Sequence, residues 1–258
     1  MAYKDILVYL DAAGDTSARL SLAVGLARAH GAWLTGVDAS VEDAFRGAWA
    51  DKALRIAPLF AAAAKEARLE SRFVAADDAL AVGGELSHCV DLIVASRYEG
   101  EARALVRPEI PDAVLIASGA PVLLLPENWN PAPVGENIVV AWNASREATR
   151  AVHDAMPLLS RAEKVTIFTF SARAGALRAA SEMLADHLRR HGVAAQISDW
   201  TDTGDISAME ALFASLDTQD ADLIVAGAFG HSRLFESLFG GVSLDLMRQP
   251  TAPILMSH

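Results

Sequence analysis

Two apolar patterns alternate along the chain. One consists of short continuous runs, the first being Ile6, Leu7, Val8, Tyr9 and Leu10. Runs of this kind recur at 33–37, 72–75, 92–95 and 122–125, and again at 138–142, 164–170, 194–198, 223–226 and 254–256. The other consists of longer stretches whose apolar residues return every three or four positions. In 16–29, for example, Leu20, Ala23, Val24 and Ala27 share one helical face, and Gly31 follows as a helix end favours. Further helices are predicted at 42–69 with a break near Pro58, and at 78–89, 112–117, 145–159, 174–191, 206–216 and 243–248. A strand that is apolar throughout is buried on both faces. Strands of that kind alternating with helices predict a parallel sheet covered on each side.

The pattern repeats. Asp91, Leu92, Ile93, Val94 and Ala95 match Asp222, Leu223, Ile224, Val225 and Ala226 residue for residue. The run ending at Asp11 pairs with the run ending at Asn143, and each is followed by a Ser/Thr helix start. Pro121 with Val122 to Leu125 pairs with Pro253 with Ile254 to Met256. Three landmarks in the same order and at nearly constant spacing indicate two copies of one domain. The expected organisation is domain 1–127, linker 128–136 and domain 137–258, with Pro131, Pro133 and Gly135 marking the linker. Each domain is predicted to be a doubly wound, five-stranded parallel α/β sheet. Such sheets bind ligands beyond the carboxyl ends of their strands, where the strand order reverses.

Composition narrows the setting. Apolar residues make up 52% of the 258 positions, enough for a substantial core. Mean hydropathy is +0.25, but much of it comes from alanine, and no uncharged apolar run is long enough to span a bilayer. No basic region followed by a long apolar one opens the sequence, so no signal peptide is expected. The single cysteine, Cys89, excludes a disulfide framework. Both features favour the cytoplasm. A net charge of -11, spread over both halves, argues against nucleic acid as a partner.

The candidate chemistry lies after the run 223–226. Gly227 and Gly230 are three apart, nine residues follow, and then come Gly240, Gly241, Val242 and Ser243. Glycines there let backbone approach a ligand closely, and a helix beginning near Ser243 would offer free N–H groups to an anion. His231 and Arg233 supply further donors. The plain alternative is that these glycines only make tight turns. Other signals are weaker. His187 and His191 lie one helical turn apart, but nothing completes a metal set, so a solvated face is expected. Cys89 is expected to pack against its neighbours. No P-loop and no nucleophile elbow is present.

Gly227, Gly230 and Gly240, at this spacing near the end of a two-domain α/β chain, resemble the ATP-binding pattern of the universal stress protein (UspA) family. The resemblance covers nearly the whole chain, once per half. It implies strand order 3-2-1-4-5 in each half, with the halves related by a pseudo-two-fold through their last strands as an intramolecular pseudo-dimer; a further homodimer is permitted but not implied. It implies an adenine nucleotide, ATP or AMP, in the cleft between the first and fourth strands. Ala141, Trp142 and Asn143 would then lie at the first strand's end, and Phe170 near the adenine. Two departures stand out. Gly241 occupies the place of a hydroxyl residue, with Ser243 two positions on. Asn143 replaces an Asp and brings no charge to a metal, so Mg is the less expected companion.

The first half departs further. Asp11 is kept, but Ser96, Glu99 and Glu109 fall near the glycine positions, with Glu101 close by. Like charges about 4 Å apart repel by roughly 4 kcal/mol at an effective dielectric near 20. That is about half of a micromolar affinity. Arg97, Arg103 and Arg107 could offset part of it. The first half is therefore expected to bind no nucleoside triphosphate and to serve as the structural partner of the second. The reading is a stress-response or regulatory module with one nucleotide site. The alternatives are an interaction protein whose cleft is a relic, and a slow ATPase.

Overall fold

The structure is a computed structural model and describes residues 2–12, 16–40, 48–75, 84–98, 106, 112–127, 129–228 and 252–258. The chain divides into two compact units, Met1–Ala132 and Pro133–His258.

The first unit carries β1 (Asp5–Leu10), β2 (Trp33–Asp38), β3 (Ser71–Val74), β4 (Leu92–Ser96) and β5 (Val122–Leu125). The strands pair in parallel in the order β3-β2-β1-β4-β5. Its helices among the described residues are α1 (Thr16–His30), α2 (Ala48–Glu66), α3 (Gly84–Ser87) and α4 (Asp112–Ala117). The continuous apolar runs form the centre of the sheet, where Ile6, Leu7, Val8, Leu92, Ile93 and Val94 are fully buried.

The expected break near Pro58 does not occur, and α2 runs through it. Pro58 lies on the exposed face, while Ile56, Phe60 and Ala64 bind the helix to the sheet. Gly36 on β2 makes room for this packing. A methyl there would come within 2.7 Å of the Phe60 ring, which rests on Phe73 at a centroid distance of 5.4 Å. Of the helix expected over 78–89, the described residues contain only α3, and 76–83 lie outside them. Cys89, expected to pack, is exposed, because α3 ends two residues earlier and the chain turns towards β4.

The second unit repeats the plan with β6 (Asn137–Ala141), β7 (Lys164–Ser171), β8 (Ala195–Thr201), β9 (Leu223–Gly227) and β10 (Ile254–Ser257). The order is β10-β9-β6-β7-β8, again parallel, so both units have the 3-2-1-4-5 arrangement. Its helices among the described residues are α5 (Arg146–Leu159), α6 (Arg178–Arg190) and α7 (Ala208–Gln219). The helix expected at 243–248 lies outside the described residues.

Two N-caps fix where helices start. Ser145 Oγ accepts the Ala148 N–H at the head of α5. Ser207 and Glu210 form a reciprocal capping box at the head of α7. The carboxylates of the repeated pentapeptide have a matching structural task. Asp222 accepts N–H bonds from Gly135, Glu136 and Asn137 at 2.7, 3.0 and 3.2 Å, clamping the entry to β6. Asp91 accepts from Lys4 and Asp5 at 2.6 and 3.1 Å, at the entry to β1. Each clamp ties the first strand of its unit to the fourth.

Candidate functional site

In the second unit β6 and β9 are neighbours, with Ala141 opposite Ala226, so the chain leaves both strands side by side. Asn143 thus lies just beyond β6 and Gly227 at the end of β9, at adjacent carboxyl ends. Gly230, His231, Arg233, Gly240, Gly241, Val242 and Ser243 lie outside the described residues.

Each described residue of the set has a local role. Ala141 closes β6 and is half-buried. The Trp142 N–H donates to the Phe168 carbonyl at 2.8 Å, holding the strand end to β7. Asn143 Oδ1 accepts the Ser145 N–H at 3.0 Å, which folds the chain into the head of α5. Between them Ala144 has φ 59°, a left-handed conformation that costs a residue with a Cβ. Gly227 is needed for packing. A Cβ there would sit 2.5 Å from Ala148 N and 2.8 Å from Glu147 Cβ, so the bare backbone lets the first turn of α5 press onto β9. Phe170, expected beside an adenine, is a core residue at 2% exposure, opposite Trp200 on β8.

Sequence reasoning missed Glu147. It lies in the first turn of α5, is buried, and borders Gly227. Its Oε1 accepts from Arg146 Nε at 3.3 Å. A carboxylate in a helix's first turn is favoured by the helix dipole, and it competes there with any anionic ligand. The signal was present, since Glu147 shares a stripe with Ala148, Ala151, Val152 and Ala155.

In the first unit the residue at the end of the first strand is engaged within the chain. Asp11, just beyond β1, meets Arg19 of α1 with Nη2 to Oδ2 at 2.7 Å, and both side chains are buried. The Thr16 hydroxyl donates to the Asp11 carbonyl. Tyr98, just beyond β4, places its ring 5.8 Å from the Arg19 guanidinium carbon. Burial pushes the Tyr98 phenol up to about 12, against the opposing pull of the Arg19 charge, so it stays protonated. The carboxylate kept at the end of the first strand is thus engaged by a cation from its own chain.

The side chain of Trp142 takes part elsewhere. It is buried and lines a groove of about 320 Å³ with Ala144, Thr149, Val152 and His153 of the α5 segment and Met183, Leu184 and His187 of α6. His187 does not lie on a fully solvated face as expected. Its ring is 5.6 Å from His153 and 4.7 Å from His191, and it is half-buried in the groove wall. Burial first, then the charges of His191, His153 and Arg190, hold it below the ordinary 6.5. Among the described residues no group of three or more His, Cys, Asp or Glu is placed to hold a metal ion. No helix among them is long and apolar enough to cross a membrane.

No family model and no curated protein sequence matches the chain. Solved structures do. A universal stress protein from Archaeoglobus fulgidus DSM 4304 is 15% identical, with a TM-score of 0.73 over 98% of this chain and 97% of that one. A structure from Pseudomonas aeruginosa UCBPP-PA14, described as a putative universal stress protein, is 17% identical, with a TM-score of 0.59 over 99% and 93%. A functionally unknown protein, PA1789 from Pseudomonas aeruginosa PAO1, gives 14%, 0.59, 99% and 92%. At these identities the likeness is one of fold. With the strand order repeated in both units, it leads to one conclusion: the chain has the fold of the universal stress proteins, carried twice in succession.

Proposed function

We propose that the chain is a universal stress protein, a cytoplasmic regulatory module with a single adenine-nucleotide site in its second unit. The observation that carries this reading is the adjacency of β6 and β9, which brings Asn143 and Gly227 to neighbouring carboxyl ends. The glycine-rich segment from Gly227 to Ser243 starts at that point. The contrast between the units supports a single site. In the first unit the carboxylate at the end of the first strand, Asp11, is paired with Arg19 beside the Tyr98 ring. The ligand is ATP or AMP, held by backbone N–H groups of the glycine segment with Arg233 and His231 as added donors. No residue is assigned a catalytic role.

Calorimetric titration with ATP and AMP at about 100 μM protein, enough to register weak sites, is the test. Heat with one-to-one stoichiometry is the expected result. No heat from either nucleotide removes the claim. A second reading, an interaction protein with a relic cleft, is favoured by Gly227 serving α5 packing and by the buried Glu147 beside it. Native mass spectrometry of freshly purified protein separates the two, since a retained nucleotide is incompatible with a relic. If slow ATP hydrolysis is measured, its persistence in Gly230→Glu would place it outside this segment.

A further inference from the structure

A row of imidazoles links α5 to α6. The His187 ring of α6 lies 5.6 Å from that of His153 on α5 and 4.7 Å from that of His191, at the end of α6. Among the described residues, the charges that act on His187 are those of His191, His153 and Arg190, all basic. The carboxylates of the two helices are engaged with other partners: Glu147 with Arg146, Asp154 with Arg150, Glu182 with Arg178 and Asp186 with Arg189. On the strands beneath α6, Asp199 of β8 takes the Thr169 hydroxyl at 2.7 Å, and Lys164 of β7 reaches the Gln219 carbonyl at 3.4 Å. His187 Nε2 is shielded from solvent and has no hydrogen-bond partner. An imidazolium donates from both nitrogens, so a proton taken up in this position leaves a buried N–H without an acceptor.

The two helices are held unequally. Nine residues of α5 are buried, against Ser181, Leu184 and Leu188 on α6. Ser145 caps α5, whereas Leu177 at the head of α6 makes no side-chain cap bond. If charge pushes the pair apart, α6 is the one to yield.

We propose that α6 is an acid-released flap, which protonation of His187 beside His153 lifts off α5 to open the groove over Trp142. Opening returns His187 to water, where it titrates near its ordinary value of about 6.5. The open form therefore takes up a proton that the closed form refuses, and it gains as pH falls through that value. Above it the imidazoles are neutral and the flap is shut. Opening uncovers the apolar wall of Trp142, Val152 and Leu184. The device involves none of the glycine segment, so it stands or falls independently of nucleotide binding.

The test is amide exchange of the full chain by mass spectrometry at about pH 7.5 and about pH 5.5, on either side of the ordinary imidazole value and corrected for the intrinsic pH dependence of exchange. Protection over 178–190 should fall by at least about threefold at the lower pH, as for like charges at this separation near a surface, while protection over 146–159 holds. About 0.5 M salt should shrink the fall, because His153 and His191 are exposed. His187→Gln should remove most of it and His153→Gln should reduce it; neither position is fully buried, so both variants keep the fold. Unchanged protection over 178–190 at the lower pH overturns the proposal. An equal loss over 146–159 also overturns it, since the whole unit would then be unfolding. So does a fall that persists in His187→Gln or is untouched by His153→Gln.

Discussion

Arg19 Nη2 lies 2.7 Å from Asp11 Oδ2, and neither side chain is more than 2% exposed. A buried ion pair is costly to assemble but more costly to break, because the remaining charge keeps its desolvation penalty without its partner. Arg19→Met should therefore destabilise the chain by about 3–5 kcal/mol, read from urea unfolding. Adding Asp11→Leu to that variant should restore a large part of the loss. If the double variant is as unstable as the single one, Arg19 acts by packing and not by neutralising Asp11.

Gly227 makes a second prediction because its role is steric. Its φ is not in the left-handed region, so an alanine meets no backbone strain there. The obstacle is the head of α5, with Ala148 N at 2.5 Å from the added carbon. Gly227→Ala should cost about 1–3 kcal/mol through displacement of α5. Amide exchange over 146–152 should quicken in parallel. A variant of unchanged stability would show that α5 can retreat freely.

These two sites also show which parts of the molecule were legible in the sequence. The repeat was readable because the central strands of each half are unbroken apolar runs that return in the same order, whereas the strand order 3-2-1-4-5 was implied by the family resemblance. The adjacency of the strand ends carrying Asn143 and Gly227 followed from that order. The Arg19–Asp11 pair did not, because a charged residue on a helix is ordinarily assigned to the solvated face. Its position betrayed it, since Arg19 shares a stripe with Leu20, Ala23 and Ala27. Glu147 was overlooked for the same reason. Gly227 was read for its freedom towards a ligand, whereas the atoms nearest its missing Cβ belong to α5. Pro58 predicts a break because propensity is local, while Ile56 and Phe60 are buried and Phe60 packs on Gly36 and Phe73, far away in sequence.

The two carboxylate clamps should differ in strength. Asp222 holds three N–H groups and Asp91 two. Each replacement by alanine leaves strand-entry N–H groups to water or to no partner, at about 1–3 kcal/mol. Asp222→Ala should be the more damaging of the two in urea unfolding, and the opposite order would refute the clamp as the cause.

Ala144 offers a gain. At φ 59° its methyl costs about 1–2 kcal/mol against the backbone, a penalty glycine does not meet. Glycine in turn loses more freedom on folding, so the net gain from Ala144→Gly should be about 0.5–1 kcal/mol. Thermal unfolding is the measurement. A lower melting temperature would mean that the Ala144 methyl, which lines the groove beside Trp142, contributes more by packing than it costs in strain.

The last prediction concerns acid. His187 is held below its ordinary 6.5 in the folded chain, by burial and by His191, His153 and Arg190. Below about pH 6.5 the unfolded chain takes up a proton at this residue that the folded chain refuses. Stability is therefore full above that pH and declines as pH falls through the ordinary value towards the lowered one. The urea midpoint should drop between about pH 7.5 and about pH 5.5, and His187→Gln should make the drop shallower. An unchanged slope in His187→Gln would locate the acid sensitivity elsewhere in the chain.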